Sequence, residues 1–309
     1  MKLLVTGGLG FIGSAFVRLF HDKYDIHIVD AMTYAADITN LEGLLTPVTI
    51  CDIGDVVRMN DLFYSFDPDV VVNFASETHV DRSITDDSIF YRSNVLGVLN
   101  LLHLCRKYKT KRFQQISTDE IYGQLLPEDP AWTEDSPIKP RNPYAASKAA
   151  AEHLVMAYHQ THGMDVVVTR GANTYGPHQM EKLIPTALKR LSEGKPVPVY
   201  GQGLQMRDWL YVDDHARAVE RVMLRGKPGN VYNIPGTQEM RNIDMVQHLI
   251  KAWGADSETS IEFVGDRPGH DQRYHMDGSK LKRLGWLHET TFERGIETTV
   301  AWYREFLGR

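Results

Sequence analysis

The chain has 309 residues, enough for one large or two medium domains with a full core. Its 42% hydrophobic and 24% charged residues are ordinary for a soluble globular protein, and a net charge of -6 gives no support for nucleic acid or an anionic membrane as partner. Only Cys51 and Cys105 occur, with no CxxC, so neither a disulfide framework nor a thiolate metal site is implied, and a reducing cytoplasm fits.

Met1–Thr6 runs straight into a glycine loop. Its apolar run is too short for a signal peptide, and no stretch is long enough to span a membrane. Strands are expected at Lys2–Thr6, Asp25–Asp30, Val48–Cys51, Asp69–Ala75, Arg112–Thr118 and Asp165–Arg170. Helices are expected between them at Phe11–His21, Val56–Phe66, Phe90–Tyr108 and Pro143–Thr161. Runs such as Val70–Val72 and Val166–Thr169 read as strands buried on both faces. The alternation predicts an α/β fold: a doubly wound parallel (Rossmann) sheet over residues 1–175.

Beyond about Tyr175 the pattern changes. Helical segments Glu181–Ser192, Asp213–Leu224, Ile243–Trp253 and Thr291–Phe306 alternate with Gly/Pro-rich loops and the short strands Val199–Tyr200 and Ile261–Val264. Residues 176–309 therefore read as a smaller α+β substrate lobe at the carboxyl ends of the main strands, where ligands bind in open α/β sheets. The boundary is expected to interleave, with Asn230–Ile234 returning to the main sheet.

The first strand opens into Gly7-Gly8-Leu9-Gly10-Phe11-Ile12-Gly13 and then a helix. Glycine suits a turn in which backbone must approach a pyrophosphate, and the helix start offers free N–H groups. Asp30, at the end of the second strand, lies about twenty residues on, as expected of a ribose-binding carboxylate. A carboxylate there repels a 2′-phosphate, which favours NAD over NADP. Asp52 and Ile53 are candidate adenine contacts, although Asp52 reads equally as a solvated loop acid or a helix cap.

Tyr144 and Lys148, four residues apart on one helical face, suit abstraction of a hydroxyl proton during hydride transfer. A free tyrosine titrates near ~10, so it needs nearby positive charge to act as a base, which Lys148 and a bound nicotinamide cation would supply. Ser117 and Thr118 end the preceding strand and offer a hydroxyl to the same substrate oxygen. Asp119 and Glu120 follow directly. Adjacent carboxyls push their pKa values apart, giving the acid and the base that an elimination needs. The alternative for such a pair is a solvated acidic loop, and their place at the end of an apolar strand argues against it.

These residues carry a resemblance. The chain resembles extended short-chain dehydrogenases/reductases, and within them the dTDP-glucose 4,6-dehydratase family. The matching segments are Thr6–Gly13, Asp30–Ala35, Glu77–Ser83, Ser117–Gly123, Tyr144–Lys148, Asn173–Pro177, Glu181–Pro185, Arg207–His215 and Asp266–Asp271. The resemblance implies C4 oxidation of a nucleotide-sugar with Tyr144 as proton acceptor and Thr118 on the 4-oxygen. It further implies C5 deprotonation by Glu120, loss of the 6-hydroxyl with a proton from Asp119, and return of hydride to C6. It implies NAD contacts at Gly7, Gly10, Phe11, Ile12, Gly13, Asp30, Thr33, Asp52, Ile53, Ala75, Thr78, Asn94, Tyr144 and Lys148. Substrate contacts are implied at His79, Asn173, Glu181, Lys182, Tyr200, Arg207, Asn242, Arg267, His270 and Tyr274.

Arg207 and Arg267 suit a diphosphate because arginine binds phosphate bidentately, whereas Asp208 and Asp266 beside them offer the plainer reading of salt bridges. His79 reads as a hydrogen-bonded pocket histidine; no His/Cys/Asp cluster has metal-ligand spacing. The chain departs from the family at Gly176–Lys182, which lacks a residue and a Pro before Glu181, at Ala31 and at Ser76. These changes leave the base and the hexose open. A UDP-glucose or UDP-N-acetylglucosamine 4,6-dehydratase, a 4-epimerase and an NAD-sensing binding protein are the competing readings. The Ala-rich face at Ala145, Ala146, Ala149, Ala150 and Ala151, with the Phe90–Tyr108 helix, suits either a homodimer interface or packing within one subunit.

Overall fold

The structure is a computed structural model that describes residues 1–256, 260–266 and 270–308. Seven parallel strands form the main sheet in the order Asn230–Ile234, Val166–Gly171, Arg112–Thr118, Val70–Asn73, Lys2–Thr6, Asp25–Asp30 and Val48–Ile50. The strands all run the same way, but the order in which the chain adds them reverses between Lys2–Thr6 and Val70–Asn73. Helices cover both faces, so the central strands are buried throughout: Leu3, Leu4, Val5, Val71 and Val72 have no exposed surface.

Polar side chains tie the middle of the sheet together. Thr6 Oγ1 donates to Asn73 Oδ1 at 2.5 Å, and Asn73 Nδ2 donates to Gln115 Oε1 at 2.8 Å. Buried polar groups of this kind persist only when paired, and here they fix the register of three adjacent strands beside the crevice.

Asn230–Ile234 pairs in parallel with Val166–Gly171, and the helix Val212–Arg225 packs Val219 and Val222 into the main core. The remaining later elements form a second core around Tyr175, Leu188, Val197, Trp209, Met245 and Ile296. They include the sheet Gln238–Arg241, Met206–Tyr211, Asn173–Tyr175 and the parallel pair Ile261–Val264 with Val197–Tyr200.

Two expected elements differ. The segment expected as one helix, Phe90–Tyr108, is divided: Ser88–Tyr91 is α-helical, Arg92–Gly97 is π-helical and Val98–Tyr108 is α-helical again. The wider turn sets Asn94 inward, a local irregularity that periodicity does not reveal. The helix expected from Glu181 starts at Leu183, because Lys182 stands at φ +91° and breaks the backbone before it.

Candidate active site

The glycine loop is as tight as its composition predicts. Gly7 has φ +69°, and a Cβ there would lie 2.5 Å from the Ala75 nitrogen. A Cβ on Gly13 would lie 2.2 Å from the Gly7 carbonyl oxygen, so helix and strand approach only because that atom is missing. Gly10 is the N-cap of helix Phe11–Phe20 and supplies no capping side chain, which leaves the first N–H groups facing the crevice. Asp30 is buried, with one oxygen accepting from Leu9 N at 3.0 Å and the other from Met32 N at 2.9 Å. Burial raises its pKa while these two bonds oppose the rise.

Gly7, Gly10, Asp30, Thr33, Asp52, Ile53 and Ala75 line one end of the crevice. The other end is lined by Phe11, Ile12, Gly13, Thr78, His79, Thr118, Asp119, Glu120, Tyr144, Lys148, Asn173, Glu181 and Lys182. The two ends share Gly7, Gly10, Ala35, Phe74 and Ser76, so they form one elongated groove. Free helix-start N–H groups, a glycine cradle that any Cβ would fill, and an anchored carboxylate at its far end fit an NAD molecule.

Asn94 is 1% exposed and does not line the groove. Its Oδ1 accepts from Glu77 N and Ser76 Oγ, both at 2.9 Å, and its Nδ2 donates to Glu77 O at 3.0 Å and Ser147 Oγ at 2.8 Å. It therefore shapes the groove wall and ties that wall to the helix Pro143–His162.

That helix carries Tyr144 and Lys148. Asn142 caps it, accepting from Ala145 N at 2.8 Å, and Pro143 occupies the first turn. Lys148 Nζ donates to the Ile116 carbonyl at 2.7 Å and to Ser76 Oγ at 3.3 Å. Burial lowers its pKa to about 8, against a raising influence from Glu152. Tyr144 runs opposite to the expectation from a neighbouring ammonium. Burial first, and then the charge of Glu120, raise the phenol above its ordinary range, while a hydrogen bond with Thr118 acts the other way. The Lys148 ammonium is itself turned toward a strand carbonyl.

Asp119 and Glu120 sit just past strand Arg112–Thr118, in a short 3-10 turn closed by Gly123 at φ +91°. Asp119 is 3% exposed; Thr118 Oγ1 donates to its Oδ1 at 3.2 Å, and its Oδ2 has no partner. Burial, followed by the charge of Glu120, raises its pKa to about 8, with Arg207 opposing. These influences favour the protonated form of Asp119. Glu120 is more open, and Asn142 Nδ2 donates to its Oε2 at 3.2 Å. The pair is divided as an elimination requires: a neutral acid beside a reachable carboxylate.

Beyond the groove, Arg207 is buried and makes no salt bridge among the described residues. Its guanidinium donates to the Met206 and Asp271 carbonyls at 2.7 and 2.9 Å and lies 4.2 Å from the Tyr274 ring centre. The bridge to Asp208 is not formed; Asp208 faces His275 at 3.4 Å instead. Tyr274 donates to Asp271 Oδ2 at 2.5 Å. Asn242 starts the helix Asn242–Trp253 with its Oδ1 buried and unpartnered, as is Asn173 Oδ1 in the groove. Tyr200 is half exposed at the rim, edge-on to His270, which pairs with Asp266 at 2.6 Å. Glu181 accepts from Arg82 at 3.1 Å and lies 3.8 Å from His79. Arg267 lies outside the described residues.

Motif reading did not single out several residues for the site: Ser76, Phe74, His178, Gln179 and Met180 line the groove, Asn142 bonds Glu120, and Tyr122 closes the turn behind it. Asn142 had a signal, because Asn before Pro at a helix start is an N-cap pattern. Ser76 showed only as a departure, and Tyr122 only as part of a matching segment. No group of three or more His, Cys, Asp or Glu among the described residues could hold a metal ion.

Comparison with known proteins places this geometry. The family described as GDP-mannose 4,6 dehydratase matches residues 4–299. The dTDP-glucose 4,6-dehydratase of Salmonella typhimurium is 42% identical over 98% of this chain and 92% of its own length. The low-salt glycan biosynthesis protein Agl12 of Haloferax volcanii is 46% identical over 98% of each chain. The crystal structure of DesIV, a dTDP-glucose 4,6-dehydratase from Streptomyces venezuelae with NAD and TYD bound, superposes with a TM-score of 0.95 at 40% identity, covering 100% of this chain and 98% of that one. Matched along its whole length in sequence and fold, the chain belongs to the dTDP-glucose 4,6-dehydratase family of extended short-chain dehydrogenases/reductases.

Proposed function

We infer that the protein is an NAD-dependent nucleotide-sugar 4,6-dehydratase that converts dTDP-glucose to dTDP-4-keto-6-deoxyglucose. NAD, held by Gly7–Gly13 and Asp30, supplies a hydride acceptor at the start of the cycle and a hydride donor at its end.

The protein's own groups handle protons and position. Thr118 holds the sugar 4-oxygen and Tyr144 takes its proton. Because burial and Glu120 keep the phenol neutral in the protein alone, its ionisation depends on positive charge arriving with the ligands. The resulting 4-keto group makes the C5 proton acidic. Glu120 removes that proton and the C5–H electron pair becomes the C5–C6 double bond. The C6–O bond breaks as Asp119 gives its proton to the departing oxygen. Arg207, which pairs with no carboxylate among the described residues, lies close enough to influence Asp119 and suits the diphosphate; Tyr274 packs on it.

The observation that carries the reading is Asp119, buried with one carboxyl oxygen unpartnered, directly beside Glu120 and near Tyr144. A 4-epimerase returns hydride to C4 and has no use for an elimination acid. Incubation with dTDP-glucose, UDP-glucose and UDP-N-acetylglucosamine tests it. The expected result is an alkali-developed 4-keto chromophore with dTDP-glucose and no added reductant. A clean C4 epimer without keto product contradicts the dehydratase reading, and preference for a UDP-sugar contradicts the base assignment.

No helix among the described residues is long and apolar enough to cross a membrane, and we place the enzyme in the cytoplasm. We also assign a homodimer. Ala145, Ala149 and Ala151 are buried within the subunit, so most of the Ala-rich face serves internal packing. The support for a dimer lies on the outward faces of the same helices, where Leu96 is 59% exposed and His103, Arg106, His153 and Ala157 are exposed. Light scattering decides this.

A further inference from the structure

We propose that Tyr122 is a positioning residue: through Arg170 and Glu152 it fixes the Asp119–Glu120 turn against the helix that carries Tyr144 and Lys148. The proposal rests on the assignment of Asp119 and Glu120 as the elimination pair.

Tyr122 closes the turn that begins at Asp119, and it is 2% exposed. Its hydroxyl accepts from Arg170 Nη1 at 2.6 Å and donates to Asn233 Oδ1 at 2.7 Å. Arg170 is 3% exposed and stands on strand Val166–Gly171. Its Nη2 donates to Glu152 Oε2 at 2.7 Å, and its Nε lies 3.1 and 3.2 Å from the two Glu152 oxygens. Glu152 is 2% exposed and sits one helical turn beyond Lys148. An unbroken buried chain thus runs from the acid/base turn to the helix of the redox pair.

Stability alone does not account for this chain. A buried ion pair adds little over an apolar core of the same shape, and is retained where it fixes one arrangement among several. The turn's other anchors are local or long: Gly123 N donates to Glu120 O at 3.2 Å, Glu120 N to Thr118 Oγ1 at 3.3 Å, Thr118 Oγ1 to Asp119 Oδ1 at 3.2 Å, Lys139 N to Ile121 O at 2.9 Å and Asn142 Nδ2 to Glu120 Oε2 at 3.2 Å, with Ile121 buried in the core. Tyr122 alone ties it to a buried charged chain, and Asp119 Oδ2 has no partner. Lys148, by contrast, has its own bond to Ile116 O. Loosening Tyr122 therefore displaces the elimination pair more than the redox pair.

Tyr122→Phe tests this. The ring is retained, stacked on Trp132 with centroids 5.0 Å apart, so only the hydroxyl is lost. In the protein alone, amide exchange should quicken at Glu120–Gly123 and stay unchanged at Tyr144–Lys148. With dTDP-glucose, C5 proton exchange into deuterated solvent and keto-product formation should fall ~tenfold while the first rise in nicotinamide absorbance keeps its rate. Equal loss of oxidation and elimination, or wild-type elimination, overturns the proposal. Glu120→Gln is run in parallel. If it blocks elimination while Tyr122→Phe does not, the positioning role fails alone. If Glu120→Gln forms product at the wild-type rate, the assignment of the pair fails and the proposal with it.

Discussion

Asn142 Nδ2 donates to Glu120 Oε2 at 3.2 Å while Asn142 Oδ1 accepts from Ala145 N, so the residue capping the Tyr144 helix also holds the carboxylate of the proposed elimination pair. The two halves of the proposed chemistry thereby meet in one side chain. Asn142→Asp keeps the cap, since aspartate is as good an N-cap as asparagine, but sets a second negative charge against Glu120. Its thermal midpoint should match the wild type and its rate of C5 proton exchange should fall by ~tenfold or more. Asn142→Ala should lose both, with ~1 kcal/mol of stability gone with the cap. Thermal unfolding and solvent-deuterium exchange read the two effects separately; a lower midpoint with full exchange in Asn142→Asp would refute the link.

Asp119 gives a prediction with a definite sign. Its folded pKa is about 8, against an unfolded value near ~3.9, so between these limits the folded state binds one more proton than the unfolded chain. Stability associated with this group is present below the unfolded value and is lost progressively as pH rises through about 8. Asp119→Asn, a neutral isostere, should be more stable than wild type at neutral pH, with a gap that widens to about pH 8 and then levels. The same variant should lose most dehydration, for want of a proton donor. Wild-type turnover should decline above about pH 8 as the acid is lost. Parallel midpoint curves for wild type and variant across this range would refute the buried proton.

Much of the site was legible because it depends on short-range rules. The glycine loop, Asp30, the Tyr144/Lys148 spacing and the Asp119–Glu120 pair each sit at the carboxyl end of a strand or the start of a helix, and the strand order brings those ends together. Strand Asn230–Ile234 was legible as a return to the main sheet. Other features depend on contacts between residues far apart in sequence. The π-helical turn that swings Asn94 inward, the Ser76 contact with Lys148 and the Arg170 link to Tyr122 leave no periodic signal. Direction was hidden as well: spacing puts Tyr144 and Lys148 on one face, but not the lysine's preference for the Ile116 carbonyl.

The proposed choice of NAD over NADP turns on Asp30. Because its two oxygens already accept from Leu9 N and Met32 N, the carboxylate is held in place before any ligand arrives. A ribose hydroxyl pair can donate to it, whereas a 2′-phosphate meets a fixed like charge. The protein should bind NAD ~100-fold or more tightly than NADP by fluorescence titration. Asp30→Asn should weaken NAD and narrow that ratio mainly by removing the repulsion. An unchanged ratio in the variant would show that discrimination comes from elsewhere in the Asp30–Ala35 loop.

The glycines of the loop separate a folding requirement from a binding requirement. A Cβ at Gly13 would stand 2.2 Å from the Gly7 carbonyl oxygen and 2.9 Å from Gly8 Cα, both backbone atoms that cannot yield without moving the strand. Gly13→Ala should therefore destabilise the protein as well as abolish NAD binding. At Gly10 the nearest atom to a Cβ is the Gly7 oxygen at 3.4 Å, and its φ of -74° suits any residue. Gly10→Ala should fold with a midpoint near that of wild type, or slightly above it because alanine restricts the unfolded chain more. Yet Gly10 lines the groove at the helix start, and in the proposed NAD site the added methyl meets the pyrophosphate there, so NAD affinity should fall by ~100-fold or more. Calorimetric titration and thermal unfolding on both variants read the two demands independently. A Gly10→Ala protein that binds NAD as tightly as wild type would remove the helix start from the cofactor site.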